Sequence, residues 1–409
     1  MPDIAQTIDS VNQSKQNTTP SRPELEGTIV YPNNSVEIGP LIGRGGLGEV
    51  YKAYKVNSEG DDLIALKVSY RDQGSLDNLR KEAKIARQLK DNSYINRVDS
   101  YFTTNIEING KPTPCGMVEM DYVEGKSIAE IVKRHNKLGL RLPQGFIEYI
   151  GWACCEGLDF AHNPGKYNKK LFDEDGKEVR GVLHGDISPG NIIIDVFGVP
   201  KLIDFGLLGI LSEDNKEILK RFGGSIGFMP PEKLTKTRTD PSSDIYSLGT
   251  IMYYLAGGSI PTLSKVPSKS SLGEKIKTIY ESQLKGNEPL ITLPGINEEF
   301  SEIVQGSTEF EIEERPNSVI EMSDSIKAHL YRDGYGPDKD RLRTYLDLIF
   351  TPGILRHLTL VRQGNNPDDI PTSLKNKIKN AKEKMPYLQE QGKLKLESLV
   401  DPEGILLIG

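Results

Sequence analysis

The sequence predicts an α+β protein, with β-strands early in the chain and helices after them. Two segments between Ser35 and Lys55, and a third from Leu63 to Val68, have the period-two alternation of strands. Apolar residues recur at three- and four-residue intervals from Leu76 to Leu89, and Phe146 to His162 is amphipathic in the same way, as expected of helices. A length of 409 residues fits two or three domains, or one two-lobed domain with additions.

Composition and charge exclude several classes of protein. The 27% charged and 36% hydrophobic residues are typical of a globular chain with a sizeable core, and the net charge of -7 argues against a general nucleic-acid binder. The three cysteines lack metal-ligand spacing, so buried free thiols are expected. There is no apolar run of roughly eighteen residues and no signal-peptide pattern, which predicts a cytoplasmic protein without a membrane span.

A glycine-rich loop separates the first two strand-like segments. Gly43, Gly45 and Gly48 have the spacing G-x-G-x-x-G within LIGRGGLGEV, and Gly46 adds a further glycine. The same spacing occurs in dinucleotide-binding folds, where the loop opens a helix. Here the residues from Glu49 to Tyr54 alternate like a strand. The pattern therefore favours a strand–turn–strand lid whose bare backbone can approach phosphates.

The next strand and helix each carry one charged residue that is expected to face inward. Ala65 and Lys67 share one face of the strand from Leu63 to Val68. Glu82 lies on the apolar stripe of the helix from Leu76 to Leu89, where a buried carboxylate needs a partner. Lys67 is the obvious partner, although a solvated glutamate is about equally frequent when the helix is considered alone.

Two acids and an amide stand at the ends of a predicted β-hairpin further along the chain. HGDISPGN contains Asp186 and Asn191, three isoleucines follow, and KLIDFG places Asp204 after the second strand. Such a hairpin can bring three oxygen-bearing side chains into one small volume, which suits a hard cation and a hydroxyl awaiting deprotonation. Either motif alone is more often simple turn chemistry, but their order and spacing together favour a site.

In these motifs the chain resembles the protein kinases, whose catalytic loop and metal-binding D-F-G follow in the same order. The resemblance covers about residues 35 to 330 and implies a bilobal fold. A small N-lobe with an antiparallel sheet and one helix would precede a larger, mainly helical C-lobe. The implied organisation is a disordered leader at 1–24, a kinase domain at 25–330 with its lobes meeting near 121 and 122, and a helical C-terminal extension of unknown role at 331–409.

The resemblance also implies a role for each charged or amide residue. Lys67 lies in A-L-K, which is similar to the kinase V-A-I-K strand. It would bind the phosphates of ATP, and Glu82 would pair with the Lys67 ammonium group. Asp186 would accept the proton of the substrate hydroxyl. Asn191 and Asp204 would hold Mg²⁺, with Mn²⁺ as the alternative metal.

The remaining nucleotide contacts follow from the same resemblance. The segment from Cys115 to Val123 looks like the strand and hinge between kinase lobes. On that match Met120 is the gatekeeper, and the backbones of Asp121 and Val123 meet the adenine edge. Further contacts with the nucleotide are expected from Gly43, Gly45, Gly46, Gly48, Val50, Ala65, Lys67 and Ile193.

Three later residues match positions that stabilise the larger kinase lobe. Glu232 ends PPE, which resembles the end of an activation segment. Asp244 lies in a stretch similar to the buried helix of that lobe and would accept hydrogen bonds from the catalytic-loop backbone. Arg315 would pair with Glu232 in a buried ion pair, and breaking it would strand a charge.

Two departures from the family pattern bear on function. Gly185 replaces the Arg with which many protein kinases read a phosphorylated activation loop, and between Gly206 and Glu232 only Ser212 and Ser225 carry hydroxyls. The sequence therefore predicts activity without activation-loop phosphorylation. Ser188, counted with the catalytic residues, stands where Ser/Thr kinases usually place a Lys that faces the phosphoryl group.

The sequence thus predicts a protein kinase, of Ser/Thr type, that acts on protein substrates. One alternative is a small-molecule phosphotransferase, because HGDISPGN also resembles the motif of aminoglycoside and choline kinases. A second alternative is a pseudokinase that binds partners without catalysis.

Two stretches lie outside the resemblance. Residues 163–182 form a longer connection than is usual, with a predicted hairpin turn from Asp173 to Gly176. The stretch from Ser373 to Leu394 is rich in lysine. A solvated basic face is its commoner interpretation, and binding to an acidic surface is the minority one.

Overall fold

The computed structural model describes the chain in segments. These are residues 25–30, 35–44, 48–56, 62–70, 73–108, 111–173, 175–205, 226–235, 240–257, 260, 272–286, 293, 295–332, 338–354, 359 and 372–384. The predicted leader at 1–24, Gly45, Gly46 and the hydroxyl residues Ser212 and Ser225 lie outside the described residues.

The N-terminal part is a six-stranded antiparallel sheet with one helix packed against it. Its strands are β1 (Ile29–Val30), β2 (Val36–Arg44), β3 (Glu49–Lys55), β4 (Leu63–Ser69), β5 (Val98–Ile108) and β6 (Lys111–Asp121), in the order β1-β2-β3-β4-β6-β5. Helix α1 (Gln73–Ala86) lies between β4 and β5 in the chain and contacts β5 and β6. The small antiparallel lobe with one helix is therefore confirmed.

Strand β4 separates two apolar clusters, as its period-two alternation predicts. Ile64, Leu66 and Val68 pack in the cluster of the outer strands. Ala65 belongs to the other cluster, which continues into the helical part of the protein. Lys67 shares the face of Ala65 and is 5% exposed. Because an isolated buried charge is very costly, its ammonium group needs an anionic partner.

The C-terminal part is mainly helical. Its helices are α2 (Ile128–Leu138), α3 (Gln144–His162), α4 (Pro231–Leu234), α5 (Pro241–Gly257), α6 (Leu272–Gln283), α7 (Glu298–Ser307), α8 (Val319–Leu330), α9 (Lys339–Ile349) and α10 (Thr372–Lys384). Helix α5 is buried along most of its length and contacts α3, α7 and α8, as expected of a helix that is apolar on all sides. Among the helices of the described segments, none is long and apolar enough to span a lipid bilayer.

Five short strands belong to this part: one precedes α2, and four lie between α3 and α4. They are β7 (Gly125–Ser127), β8 (Leu171–Phe172), β9 (Glu178–Val179), β10 (Ile192–Asp195) and β11 (Pro200–Leu202). Strands β10 and β11 form the predicted hairpin, and β7 pairs with the free edge of β10. A Cβ at Gly125 would lie 2.1 Å from the carbonyl oxygen of Ile194, so glycine is required where β7 meets β10.

Strands β8 and β9 form the hairpin predicted within residues 163–182. They pair antiparallel, and Asp173 Oδ1 accepts the backbone N–H groups of Asp175 and Lys177 at 3.0 and 2.8 Å in the turn. Gln88, just after α1, donates to the carbonyl of Phe172 at 2.9 Å and accepts its N–H at 3.0 Å. The insertion is therefore anchored to the N-terminal part of the protein.

Helix α9 packs against α2 and α3 through buried aromatic contacts. The side chain of Tyr345 is fully buried, with its ring centroid 5.7 Å from that of His135 and 5.1 Å from that of Phe146. Arg134 Nε donates to the carbonyl of Ile349 at 2.7 Å, at the end of the helix where carbonyls lack helical partners. Helix α9 thus shares the core of the C-terminal part, and α10 contacts α9.

Candidate active site

Lys67 and Asp204 meet between the two parts of the protein. The Nζ atom of Lys67 contacts Oδ1 of Asp204. Burial alone favours the neutral amine, but the charges of Asp204 and Glu82 outweigh burial and raise the pKa of Lys67. The sequence analysis selected Glu82 as the direct partner. In the structure Lys67 contacts Asp204, and the charge of the half-buried Glu82 on α1 also acts on Lys67.

Asn191 links the predicted oxygen ligands to each other. Its Nδ2 donates to the main-chain carbonyl of Asp186 at 2.8 Å and to Asp186 Oδ2 at 3.0 Å. The N–H of Ile203, the residue before Asp204, donates to the Asn191 carbonyl at 2.9 Å. The structure therefore places Asp186 and Asn191 in direct contact and Asp204 close by, and the charges of Asp186 and Asp204 both act on Lys67. Carboxylate and amide oxygens are the donors that Mg²⁺ prefers, so these residues fit that ion.

The loop of residues 184–191, called the HGD loop below, is braced by a neutral histidine. His184 Nε2 lies 3.1 Å from the carbonyl oxygen of Ile203, and its Nδ1 accepts the N–H of Asp186 at 3.2 Å. Burial lowers the pKa of His184. A neutral imidazole with its proton on Nε2 satisfies both contacts. Ser188 is buried in the same loop, and its carbonyl accepts the N–H of Asn191 at 2.9 Å.

Asp244 on α5 binds the backbone of the HGD loop. This confirms the prediction that Asp244 accepts hydrogen bonds from the catalytic-loop backbone. Its carboxylate accepts the N–H groups of His184 and Gly185 at 2.8 and 2.9 Å, and His162 Nε2 lies 2.9 Å away. Burial favours the neutral acid, but the hydrogen bond and charge of His162 outweigh it and lower the pKa of Asp244 to about 2. The HGD loop therefore rests on a buried carboxylate that stays ionised.

Glu232 and Arg315 form the predicted buried ion pair. Arg315 Nη1 and Nη2 donate to the two carboxylate oxygens of Glu232 at 3.0 and 2.9 Å, and Ser243 Oγ adds a bond of 2.7 Å. The guanidinium also lies 4.8 Å from the ring centroid of Tyr246. This bidentate geometry fixes the first turn of α4, in which Glu232 lies.

The nucleotide-lid residues are placed along β2, β3 and β4. Val50 pairs with Gly43 on β2 and with Lys67 on β4. A Cβ at Gly48 would lie 2.3 Å from the carbonyl oxygen of Val68, so this glycine is required by close backbone approach. Ile193, the half-buried centre of β10, pairs with Ser127 on β7.

The predicted hinge begins at the end of β6. Met120 is buried and pairs with Ala65. The N–H of Asp121 donates to the carbonyl of Arg97 at 3.0 Å, and the Asp121 carbonyl accepts Asn96 Nδ2 at 3.1 Å. The backbone of Val123 makes no hydrogen bond to another residue of the described segments.

Two residues at the site were not selected by the sequence analysis. Asn96 binds the hinge, as above, and Lys233 Nζ donates to the carbonyl of Gly185 at 2.7 Å. Asn96 lies in a polar turn and Lys233 near the start of a short helix, where both residue types are usually solvated. No local sequence signal marks either residue.

The ionised state of Asp244 has a consequence for stability. Asp244→Asn is expected to destabilise the protein by about 1.5–3 kcal/mol near neutral pH, because hydrogen bonds to a charged acceptor are lost. The folded-state pKa is depressed to about 2, below about 3.9 in the unfolded chain, so this stability is fully present above pH 4 and is lost as the pH falls toward 2.

Urea unfolding of wild type and variant between pH 7 and pH 2.5 measures this difference. Asp347→Asn is the matched control, because Asp347 is exposed and its substitution is expected to stay within about 0.5 kcal/mol of wild type. If the difference in the free energy of unfolding between wild type and Asp244→Asn increases below pH 4, the assignment of an ionised Asp244 is wrong.

The fold and this site together have the organisation of a kinase, with a glycine lid and a lysine on a small lobe facing an acidic loop on a helical lobe. Comparison with known proteins gives the family. The family model described as protein kinase domain matches residues 36–331, which is more than half of the chain. The chain therefore belongs to the protein kinase family.

Individual relatives are distant. A protein described as probable serine/threonine-protein kinase PknB, from Bifidobacterium longum, is 27% identical over 231 residues, or 55% of this chain and 30% of that protein. Serine/threonine-protein kinase PknB of Mycobacterium leprae is 28% identical over 246 residues, or 59% of this chain and 35% of that protein. The chain thus spans about a third of the length of these relatives. Among solved structures, the PknI kinase domain of Mycobacterium tuberculosis is 18% identical, with a TM-score of 0.48 and coverage of 75% of this chain and 98% of that one.

Proposed function

We propose that this protein is a protein kinase that transfers the γ-phosphoryl group of ATP to serine or threonine hydroxyls of proteins. The observation that carries the proposal is the contact of the buried Lys67 with Asp204, beside the Asp186–Asn191 pair. One cluster therefore combines a cation for phosphates with a carboxylate for a hydroxyl proton. The names of the relatives support serine or threonine as the acceptor.

Each side chain has a distinct task in this proposal. Lys67 binds the nucleotide phosphates as a fixed cation, because its pKa is raised despite burial. Asp186 accepts the proton of the attacking hydroxyl, and the Asn191 amide on its Oδ2 fixes the plane of the carboxylate. Asn191 and Asp204 would hold Mg²⁺, which offsets the charge that develops on the transferred group.

The hinge supports adenine as the base. The backbone of Val123 has no partner in the described segments and is open to the donor and acceptor edge of a purine. The Asp121 carbonyl already accepts one bond from Asn96, and its second lone pair is available to a ligand. Val50, Ala65, Met120 and Ile193 are the apolar residues proposed to enclose the base.

The test is transfer of radiolabel from [γ-³²P]ATP to three kinds of acceptor: the protein itself, generic protein substrates such as casein, and aminoglycosides. Labelled phosphoserine or phosphothreonine in the protein acceptors is the expected result. Label only in the aminoglycosides would establish a small-molecule phosphotransferase. Nucleotide binding without transfer to any acceptor would indicate a pseudokinase.

We further propose that activity does not require phosphorylation of the segment from Gly206 to Glu232. Gly185 offers no guanidinium to a loop phosphate, and Ser212 is followed by two acids that would repel one. Ser212→Ala and phosphatase-treated wild type are expected to keep the untreated rate. A fall of about tenfold or more, equal to about 1.4 kcal/mol of barrier, would identify a phosphorylation switch.

Lys67 and Glu82 are expected to act as a coupled pair. Lys67→Met and Glu82→Gln should each lower the rate severely, and the double variant should be no slower than the slower single variant. The expected coupling energy is on the order of 1–3 kcal/mol. Asp77→Asn is the control on the same helix, because Asp77 is bonded to Gln73. Additive losses in the double variant would show that the two residues act independently.

A further inference from the structure

Both backbone polar groups of Gly185 are held by buried charged side chains. Its N–H donates to Asp244 Oδ1 at 2.9 Å, and its carbonyl accepts Lys233 Nζ at 2.7 Å. The φ angle of Gly185 is 74°, in the left-handed region that glycine adopts without strain. Gly185 directly precedes Asp186, so the two contacts fix the backbone from which the proposed base projects.

Lys233 is an unusual residue to find at this depth. It is 6% exposed, near the start of α4, and burial lowers the pKa of its ammonium group. The negative charges of Asp244, Asp186 and Glu232 oppose that effect, in that order. Lys233 therefore lies among three carboxylates, each of which also has another partner: His162 for Asp244, Arg315 for Glu232 and Asn191 for Asp186.

A role in filling space alone does not account for this arrangement. An apolar side chain of similar volume would occupy the same space without desolvating a charge, and such replacements are often neutral or stabilising. What an apolar side chain cannot supply is a donor for the Gly185 carbonyl and a positive charge close to Asp186. Lys233 also lines a small depression together with Gly185, Asp186 and Met229, so its charge lies beside the HGD loop.

We propose that Lys233 is a positioning residue for Asp186: its ammonium group and the Asp244 carboxylate hold the Gly185 backbone between them and keep the HGD loop in its working geometry. This inference rests on the proposed kinase activity for its catalytic consequence, but the restraint on the loop is independent of that activity. Lys233 takes no part in the proton transfer itself.

The experiment compares Lys233→Met with Gln283→Met in the full chain. Gln283 is the matched control because its buried Nε2 donates to the Met229 carbonyl at 2.7 Å, a similar bond in the segment that precedes α4, with no charge near Asp186. Lys233→Met is expected to lower kcat by about tenfold or more, with KM for ATP within about twofold of wild type. Lys233→Gln, which keeps a donor without the charge, is expected to lie between wild type and Lys233→Met.

Amide hydrogen exchange of His184 and Gly185 provides the second readout. Both amides should exchange about tenfold faster or more in Lys233→Met, and at the wild-type rate in Gln283→Met. Unchanged exchange of these amides in a folded Lys233→Met or Lys233→Gln would overturn the inference. Equal losses of kcat in Lys233→Met and Gln283→Met would also overturn it. A wild-type protein that transfers no phosphate would refute the proposed function, while the exchange rates would still decide whether Lys233 restrains the loop.

Discussion

Asp186→Asn is expected to lower the rate of phosphoryl transfer by about 10²–10⁴-fold while ATP affinity stays near that of wild type, because a general base contributes on that scale. The amide keeps the shape of the carboxylate but cannot take the hydroxyl proton. Asp204→Asn is expected to lose activity for a different reason. It removes a proposed ligand of the metal and the contact partner of Lys67, so Mg²⁺-dependent binding of ATP should weaken along with turnover.

Calorimetric titration with ATP and Mg²⁺, run beside a turnover assay, separates these two outcomes. Asp195→Asn is the matched control, because Asp195 is an acid of the same hairpin whose carboxylate accepts the N–H groups of Phe197 and Val199 in the turn. It should retain transfer. Wild-type turnover in either Asp186→Asn or Asp204→Asn would refute the assignment of these residues.

The parts of the site that local sequence encodes were predictable. The hairpin that carries Asn191 and Asp204, and the strand that carries Lys67, are short segments whose alternation and turn residues specify them without tertiary information. The Glu232–Arg315 pair and the Asp244 contacts join residues far apart in the chain. They were predicted only through the resemblance to kinases, and the structure confirms both.

Long-range packing explains what the sequence did not reveal. The residues next to Lys233 in the chain suggest a solvated helix residue. Lys233 is buried because α4 packs against the HGD loop, where Gly185 lies 48 residues away in the chain. Asn96, in the turn before β5, contacts the hinge residue Asp121, 25 residues away in the chain. Lys67 contacts Asp204, 137 residues later, a contact that the strand and helix periodicities did not predict. Such side chains are identified by their neighbours, which periodicity does not specify.

The C-terminal extension is the part whose position the sequence left open. The sequence predicted a helical extension at 331–409, but not which surface of the protein its helices would cover. In the structure α9 packs against α2, and α2 begins at Ile128, directly after β7. Arg134 of α2 donates to the Ile349 carbonyl, and the ring of Phe350 lies 5.3 Å from Lys126 Nζ on β7. The extension therefore contacts the strand and helix that follow the hinge.

Tyr345 joins α9 to this core through a defined hydrogen bond. His135 Nδ1 lies 2.8 Å from the carbonyl of Ile131, which can only accept, so Nδ1 carries the proton. His135 Nε2 therefore accepts the hydroxyl of Tyr345 at 2.6 Å. Burial lowers the pKa of His135 to about 4, which keeps the imidazole neutral at physiological pH.

Tyr345→Ala is expected to destabilise the whole C-terminal part by about 3–5 kcal/mol, the range for deleting a fully buried aromatic ring. Tyr345→Phe keeps the ring and leaves His135 Nε2 without its donor, which should cost about 1–3 kcal/mol. Phe197→Ala, at a side chain 62% exposed, is the control and should stay within about 0.5 kcal/mol of wild type. Urea unfolding followed by fluorescence of Trp152, which lies in α3, measures all three variants. If the Trp152 transition of Tyr345→Ala coincides with that of wild type, α9 unfolds separately and the extension is not part of the same cooperative core.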